Sequence, residues 1–427
     1  VLAVPALGVL AAEPLYVLVD TAVVGHLGAV PLAGLSLGGL LLSQVSTQLT
    51  FLAYGTTARA ARLHGAGRRS DAVAEGVAAT WLGALFGIVL MVLGEVLAGP
   101  VTRGLAGDGA IADGATRWLR IAVLGVPMIL VTMAGNGWLR GVQDTRRPLR
   151  YVVAGNGVSA VLCPVLVHVA HRGLAGSAVA NVVAQVIVAT LFLRALRHEC
   201  RAGGVALRPH WAGMRAQLGL GRDLVLRSLA FQACFVSAAS VAARTSAAAA
   251  GAHQVVLQLW NFLALVLDSI AIAAQALVGA ELGARRERAA KALATRVTVY
   301  GLGFGILTGG LFAALSGTLP RAFTTDPGVL AQIPQAWWFF VALQPIAGVV
   351  FAVDGVLLGA GDAAYLRTIT LLAGVFGFLP MVWLSLAYHW GLTGIWIGLS
   401  AFIVLRLFAA LGRLANGRWS VVGETRD

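Results

Sequence analysis

The stretch Glu13-Pro14-Leu15-Tyr16-Val17-Leu18-Val19-Asp20-Thr21-Ala22-Val23-Val24-Gly25-His26-Leu27-Gly28 decides how this chain is read. It closes an apolar segment, residues 1–26, and about 20 apolar residues suffice to cross a bilayer as a helix. Asp20 stands inside that segment. An ionisable side chain in a membrane span is costly and is retained mainly for a proton, ion or substrate pathway. Asp20 is therefore a candidate coupling residue.

The rest of the chain fits that reading. Of 427 residues, 59% are hydrophobic and only 11% charged, against roughly 25% charged in a soluble domain. The formal charge of +13 follows from basic residues collecting in cytoplasmic loops. The interleaved aromatic and basic pattern of a nucleic-acid groove is absent, so nucleic acid is not an expected partner. Cys163, Cys200 and Cys234 have no metal-like spacing and imply neither a disulfide framework nor a zinc site. The chain begins at Val1 within an apolar run and is read as trimmed or partial there. Its first segment lacks a basic leader and carries two acids, unlike a signal peptide.

Hydropathy divides the chain into twelve spans, at 1–26, 32–58, 73–98, 115–139, 148–170, 174–197, 222–244, 250–282, 293–317, 333–358, 364–388 and 391–413. One set of alternate loops and ends is arginine-rich: Arg59, Arg62, Arg68, Arg69; Arg140, Arg146, Arg147, Arg150; Arg194 to Arg222; Arg285, Arg286, Arg288, Lys291; Arg413, Arg418, Arg426. The opposite set holds little beyond Arg103, Arg172, Arg244 and Arg321. The rich set is expected in the cytoplasm, with both termini. Asp20 then lies about six residues, roughly 9 Å of helix, below the outer end of the first span.

The two halves share a grammar. Gly137-Trp138-Leu139-Arg140-Gly141-Val142-Gln143-Asp144 and Gly355-Val356-Leu357-Leu358-Gly359-Ala360-Gly361-Asp362 are 218 residues apart. The same offset maps Gly173-Leu174-Ala175-Gly176 onto Gly391-Leu392-Thr393-Gly394, and His64-Gly65-Ala66 onto Leu282-Gly283-Ala284. An even number of spans per half returns the chain to its starting side. The expected fold is all-α and integral to the membrane, with twelve transmembrane helices in two parallel six-helix lobes related by a pseudo-two-fold along the membrane normal. The expected domains are a first lobe at 1–200, a basic cytoplasmic linker at 201–221 and a second lobe at 222–427.

Polar residues within spans are the remaining candidates for a cavity. Tyr16 is four residues before Asp20, and Glu13 seven, which puts all three near one helix face. Gln44 and Gln48 are four apart; Asn136, Asn156, Ser159, Asn181 and Gln185 follow. Amides of this kind also hydrogen-bond packed helices to one another. Adding 218 to Asp20 gives no carboxylate, so an architectural role shared by both lobes is not expected. The second lobe has its own acids, Asp268 and Asp354, the latter aligned with Asn136 and read as solvated or capping near a cytoplasmic end. Pro5 and Pro14 interrupt the first span, where proline bends a helix. Gly34-Leu35-Ser36-Leu37-Gly38 matches a nucleophile elbow but lies in a helical span, where small residues four apart serve packing. Walker A and zinc-protease sequences are absent, so neither an enzyme nor ATP-driven transport is expected, and no catalytic or metal-ligating residue is assigned.

These residues resemble the MATE (multidrug and toxic compound extrusion) family, in its bacterial DinF-type branch. The resemblance rests on residues 17–28, on Leu139-Arg140-Gly141-Val142-Gln143-Asp144-Thr145-Arg146, on Ala252-His253-Gln254, and on Asp268 with Ala274-Gln275-Ala276-Leu277-Val278-Gly279. It implies export of organic cations or other amphiphiles against an inward proton or sodium gradient, from a bacterial inner membrane, with no cofactor and no obligate protein partner. Asp20 falls on the family's first-span aspartate, Pro5 on the proline where that helix bends, and Gln254 and Asp268 join the cavity candidates. One departure stands out. An Asn-x-x-x-Asp-Pro motif in the fifth helix of archaeal relatives is here Ser159-Ala160-Val161-Leu162-Cys163-Pro164. A cation site that has lost a carboxylate and an amide favours protons over sodium. The competing readings are a sodium-coupled drug antiporter and a flippase for lipid-linked oligosaccharides, the latter disfavoured because the basic residues map to loops.

Overall fold

The computed structural model describes residues 2–424, which are helical nearly throughout and include no strand. Val1 and Arg426 lie outside the described residues. Hydrocarbon offers no partner to a backbone N–H or C=O, so each spanning segment closes its own hydrogen bonds as a helix. The spanning helices are α1 (Ala3–Gly25), α2 (Ala29–Gly65), α3 (Arg69–Ala106), α4 (Ala110–Val123 and Val126–Gly141), α5 (Arg146–Val169), α6 (Leu174–Gly203), α7 (Trp211–Thr245), α8 (Ala247–Gly283), α9 (Glu287–Ala314), α10 (Pro327–Gly359), α11 (Ala363–Ala387) and α12 (Gly391–Ala415). Eleven are long and apolar enough to cross alone; the two arms of α4, bent by 49°, make the twelfth.

Local irregularities depart from straight spans. α4 breaks at Leu124 and Gly125, because Pro127 at the head of its second arm removes a backbone donor and crowds the preceding turn. α2 has a break at Leu49 and Thr50. α1 runs unbroken from Ala3 through Pro14 to Gly25, with Pro5 in its first turn, so neither proline interrupts it. α5 and α11 each carry a π-helical turn, Val165–Val169 and Gly374–Phe378.

Internal contacts divide the chain into two units, Val1–Gly221 and Arg222–Asp427. The stretch 201–221 is not an open tether. α6 continues to Gly203 and α7 begins at Trp211. Within the first unit the Gln217 amide donates to both the backbone carbonyl and the carboxylate of Glu75, each at 3.2 Å.

The offset of 218 reappears in the packing of each unit. Gly137 and Gly141 lie against Ala53 and Thr57, and Gly355 and Gly359 against Ala271 and Gln275, with no room for a Cβ at any of the four. Gly83 and Gly87 meet Leu130 and Pro127; Gly301 and Gly305 meet Gly348 and Pro345. Each contact in the first unit maps onto its counterpart in the second by adding 218 to both partners. The loops obey the same rule. Positive φ occurs at Gly67 and Arg285, Gln143 and Gly361, His171 and His389, and Gly173 and Gly391, and every pair is 218 apart. A left-handed residue other than glycine is uncommon. That Gln143, Arg285 and both histidines accept it indicates a turn dictated by the helices on either side.

Each unit has its own apolar core. In the first, Trp138, Leu139 and Phe192 pack with Ala60, Val73 and Val77. In the second, Trp337, Phe340, Phe378, Trp396 and Phe402 dominate. Gly38 lies against the Trp118 ring, so the glycine pair around Ser36 is a packing feature.

Candidate functional site

Asp20 is 5% exposed on the inner face of α1, one turn after the buried Tyr16. Three helices supply its surroundings. From α5, the Cys163 thiol donates to Asp20 Oδ1 at 3.1 Å, immediately before the Pro164 that opens the π turn. One turn earlier, Ser159 is fully buried beside the Tyr16 phenol. From α6, Ser177 places its hydroxyl beside the carboxylate while accepting the Trp118 indole N–H from α4 at 3.2 Å. Asn181, one turn further along α6, donates to the Tyr16 hydroxyl at 3.4 Å. The site is one carboxylate among hydroxyl, thiol, phenol and amide groups. Among the described residues no arginine, lysine or histidine forms an ion pair with it. Toward the C-terminal end of α1, His168 Nε2 donates to the Val23 carbonyl at 3.1 Å, and the His26 ring meets that of His168 edge-on, centroids 6.5 Å apart.

The other sequence candidates divide. Tyr16 and Asn181 belong to the cluster. Glu13 is exposed and outside it. Asn136 is buried with its Oδ1 unpartnered, and Gln48 Oε1 is likewise unpartnered. Asn156 and Gln185 are partly buried; Gln44 and Gln254 are exposed; Asp268 is partly buried on α8. His253, next to Gln254, is buried with neither ring nitrogen hydrogen-bonded and its ring 6.1 Å from that of Trp396. An apolar groove of about 260 Å³ in the first unit, lined by Leu41, Leu90, Leu93, Leu97 and their neighbours, contains none of the candidates. No cluster of three or more metal-binding side chains occurs among the described residues.

Asp354 corrects the sequence reading. It is 5% exposed, neither solvated nor capping. Arg227 of α7 at 2.5 Å and Arg406 of α12 both donate to its Oδ2. Arg406 is 2% exposed and nine residues from the end of α12, so the basic residues are not confined to loops. Sequence reasoning missed it although the signal is the one that singles out Asp20: an ionisable side chain in an apolar span.

The MatE family model matches residues 5–165 and 224–383, one segment in each half. The DNA damage-inducible protein F of Escherichia coli strain K12 is 31% identical, covering 95% of this chain and 90% of its own length. The chloroplastic Protein DETOXIFICATION 44 of Arabidopsis thaliana is also 31% identical, covering 99% of this chain and 83% of its own. A Vibrio cholerae MATE transporter structure superposes with a TM-score of 0.88 at 18% identity, over 97% of this chain and 95% of that one. A MATE structure in a bent conformation gives 0.86 at 19% identity, over 98% and 94%.

Proposed function

The chain belongs to the MatE family of multidrug efflux transporters, and we propose that it is a proton-driven antiporter that exports organic cations or amphiphiles from a bacterial cytoplasm, with both termini inside. The observation that carries this reading is Asp20, buried and, among the described residues, without an ion-pair partner. A carboxylate withdrawn from water without a counter-charge is unstable. Either a proton or a cationic guest neutralises it, and the two exclude each other. That exclusion is antiport. A proton arriving from outside displaces the cation, and the cation returns from the inside once the proton has left. The helix carrying Asp20 also contains Pro14, whose missing backbone hydrogen bond lowers the cost of bending there; with Pro5 it gives the exchange a way to reshape the site. Sodium fits less well, because hard cations take several oxygen ligands and the group on Asp20 Oδ1 is a thiol.

The test is efflux of a fluorescent organic cation from cells or everted vesicles, wild type beside Asp20→Asn, with proton and sodium gradients collapsed separately. Loss on proton collapse and in the variant is expected. Full efflux by Asp20→Asn, or loss only on sodium collapse, would overturn the proton-coupling assignment.

A further inference from the structure

In the second unit two arginines share one buried carboxylate. Arg227 and Arg406 converge on the single carboxylate of Asp354, so the cluster carries one net positive charge. Asp223, one turn before Arg227, is engaged by Arg222 at 3.2 Å and Arg367 at 2.6 Å. Hydrogen bonding is incomplete as well. Each guanidinium has five N–H donors, and one from each reaches Asp354 Oδ2. The Nε atoms of both arginines and the second oxygen of Asp354 are buried without partners. Buried polar groups in native structures are almost always satisfied, and an exception points to a missing water or ion.

The shape of the site narrows what is missing. Each arginine shares a helix face with a phenylalanine one turn away. The Arg227 guanidinium lies 5.5 Å and that of Arg406 4.9 Å from the centre of the Phe231 ring, and Arg406 is 5.4 Å from that of Phe402. Phe231 and Phe378 both meet Phe402 edge-on, at 5.4 and 5.8 Å. Arg227 is 16% exposed, so the cluster opens to the surface on its side. A planar fork of donors matches a carboxylate. One negative charge neutralises the cluster, whereas a phosphate dianion would invert it. Phe231, the one of these rings that is only partly buried, suits an aromatic body.

We propose that Arg227 and Arg406 form the receiving end of a binding site for an aromatic monocarboxylate in the second unit. The site is independent of Asp20 and of proton coupling. It gives the transporter affinity for acidic or zwitterionic amphiphiles as well as cations. Asp354 acts as the built-in competitor, holding the two guanidinium groups in place and yielding part of their donor capacity to a guest.

Benzoate is the probe, measured by calorimetry and thermal shift on the purified full-length protein in detergent, without a gradient, so that its failure and that of the coupling reading are separable. Saturable binding to wild type is expected, weakened on the order of tenfold or more by Arg227→Gln. Arg227→Lys, which keeps the charge but loses the fork, should also bind more weakly. Benzamide and benzylamine, the neutral and cationic counterparts, should not compete. Asp354→Asn should bind benzoate more tightly and recover thermal stability in its presence. No benzoate binding to wild type, equal binding by Arg227→Gln, or equal binding of benzamide would each overturn the proposal. So would palmitate displacing benzoate a hundredfold better, which would assign the site to a lipid.

Discussion

Asp20 and Asp354 are equally buried, each on a spanning helix of its own unit, and keep opposite company. Asp20 is met by a thiol, a hydroxyl and, through Tyr16, an amide. Asp354 is met by two guanidinium groups. Among the described residues the first has no ion-pair partner, and the second has two. A charge left open can exchange one mobile partner for another, while a charge locked between fixed partners holds helices together. Burial alone therefore does not distinguish the two carboxylates; the charge balance around them does.

The comparison can be broken in four ways. Asp20→Asn should reduce cation efflux to background while leaving expression and thermal stability near wild type, because a neutral amide replaces a carboxylate that no ion pair holds. Asp354→Asn should do the reverse. It leaves Arg406 buried without a counter-charge, and the loss is expected at about 3–5 kcal/mol, read as a large fall in melting temperature in detergent. If both variants lose stability equally, the contrast between open and locked carboxylates is wrong. Cys163→Ala should shift the pH dependence of efflux without abolishing it, since one hydrogen bond to Asp20 is lost; Cys163→Ser should restore the wild-type profile.

The fourth and smallest effect concerns Asp144 and its repeat counterpart Asp362. Burial disfavours a charged Asp144, but the backbone N–H and guanidinium of Arg147, with the backbone N–H of Arg146, outweigh it and hold the carboxyl below the usual aspartate range. A depressed carboxyl contributes stability that is complete above its unfolded value, near 3.8, and is lost as pH falls through the lower folded value. Asp144→Asn should therefore cost stability at neutral pH and flatten the acid limb of the melting curve. Asp362 accepts from Arg413 Nε of α12 at 2.8 Å. That bond ties distant parts of the chain, so Asp362→Asn should lower the melting temperature more than Asp144→Asn.

Hydropathy and the spacing of glycines carry most of the fold. Twelve apolar stretches become twelve spans because length and polarity are properties of the chain alone. The bend in α4 is harder to read, since Gly125 and Pro127 are as compatible with a loop or a simple kink as with two arms at 49°. Pro14 illustrates the converse, a breaker that α1 absorbs. Within the site, Asp20 and Tyr16 are legible because they are one turn apart on one helix. Ser177 and its indole donor Trp118 are not, because their placement depends on how α4 and α6 pack. Cys163 is the instructive case. As a departure from the fifth-helix motif it reads as a lost ligand, yet its thiol still reaches Asp20. Arg406 was within reach of the sequence, but a count of loop charges passes over the charges that are not in loops.

The correspondence at 218 residues shows what the two units hold in common and what they do not. Both copies keep the same glycines at the same close approaches and the same left-handed corners at the same turns. Asp20, Arg227 and Arg406 have no counterparts. Both units use one mould to fold, fixed by the glycines they share at these close approaches. Their distinctive charges stand at positions that mould does not constrain. Laboratory evolution of new export specificity can follow the same division, randomising the positions where the copies differ and leaving untouched the glycines at which they agree.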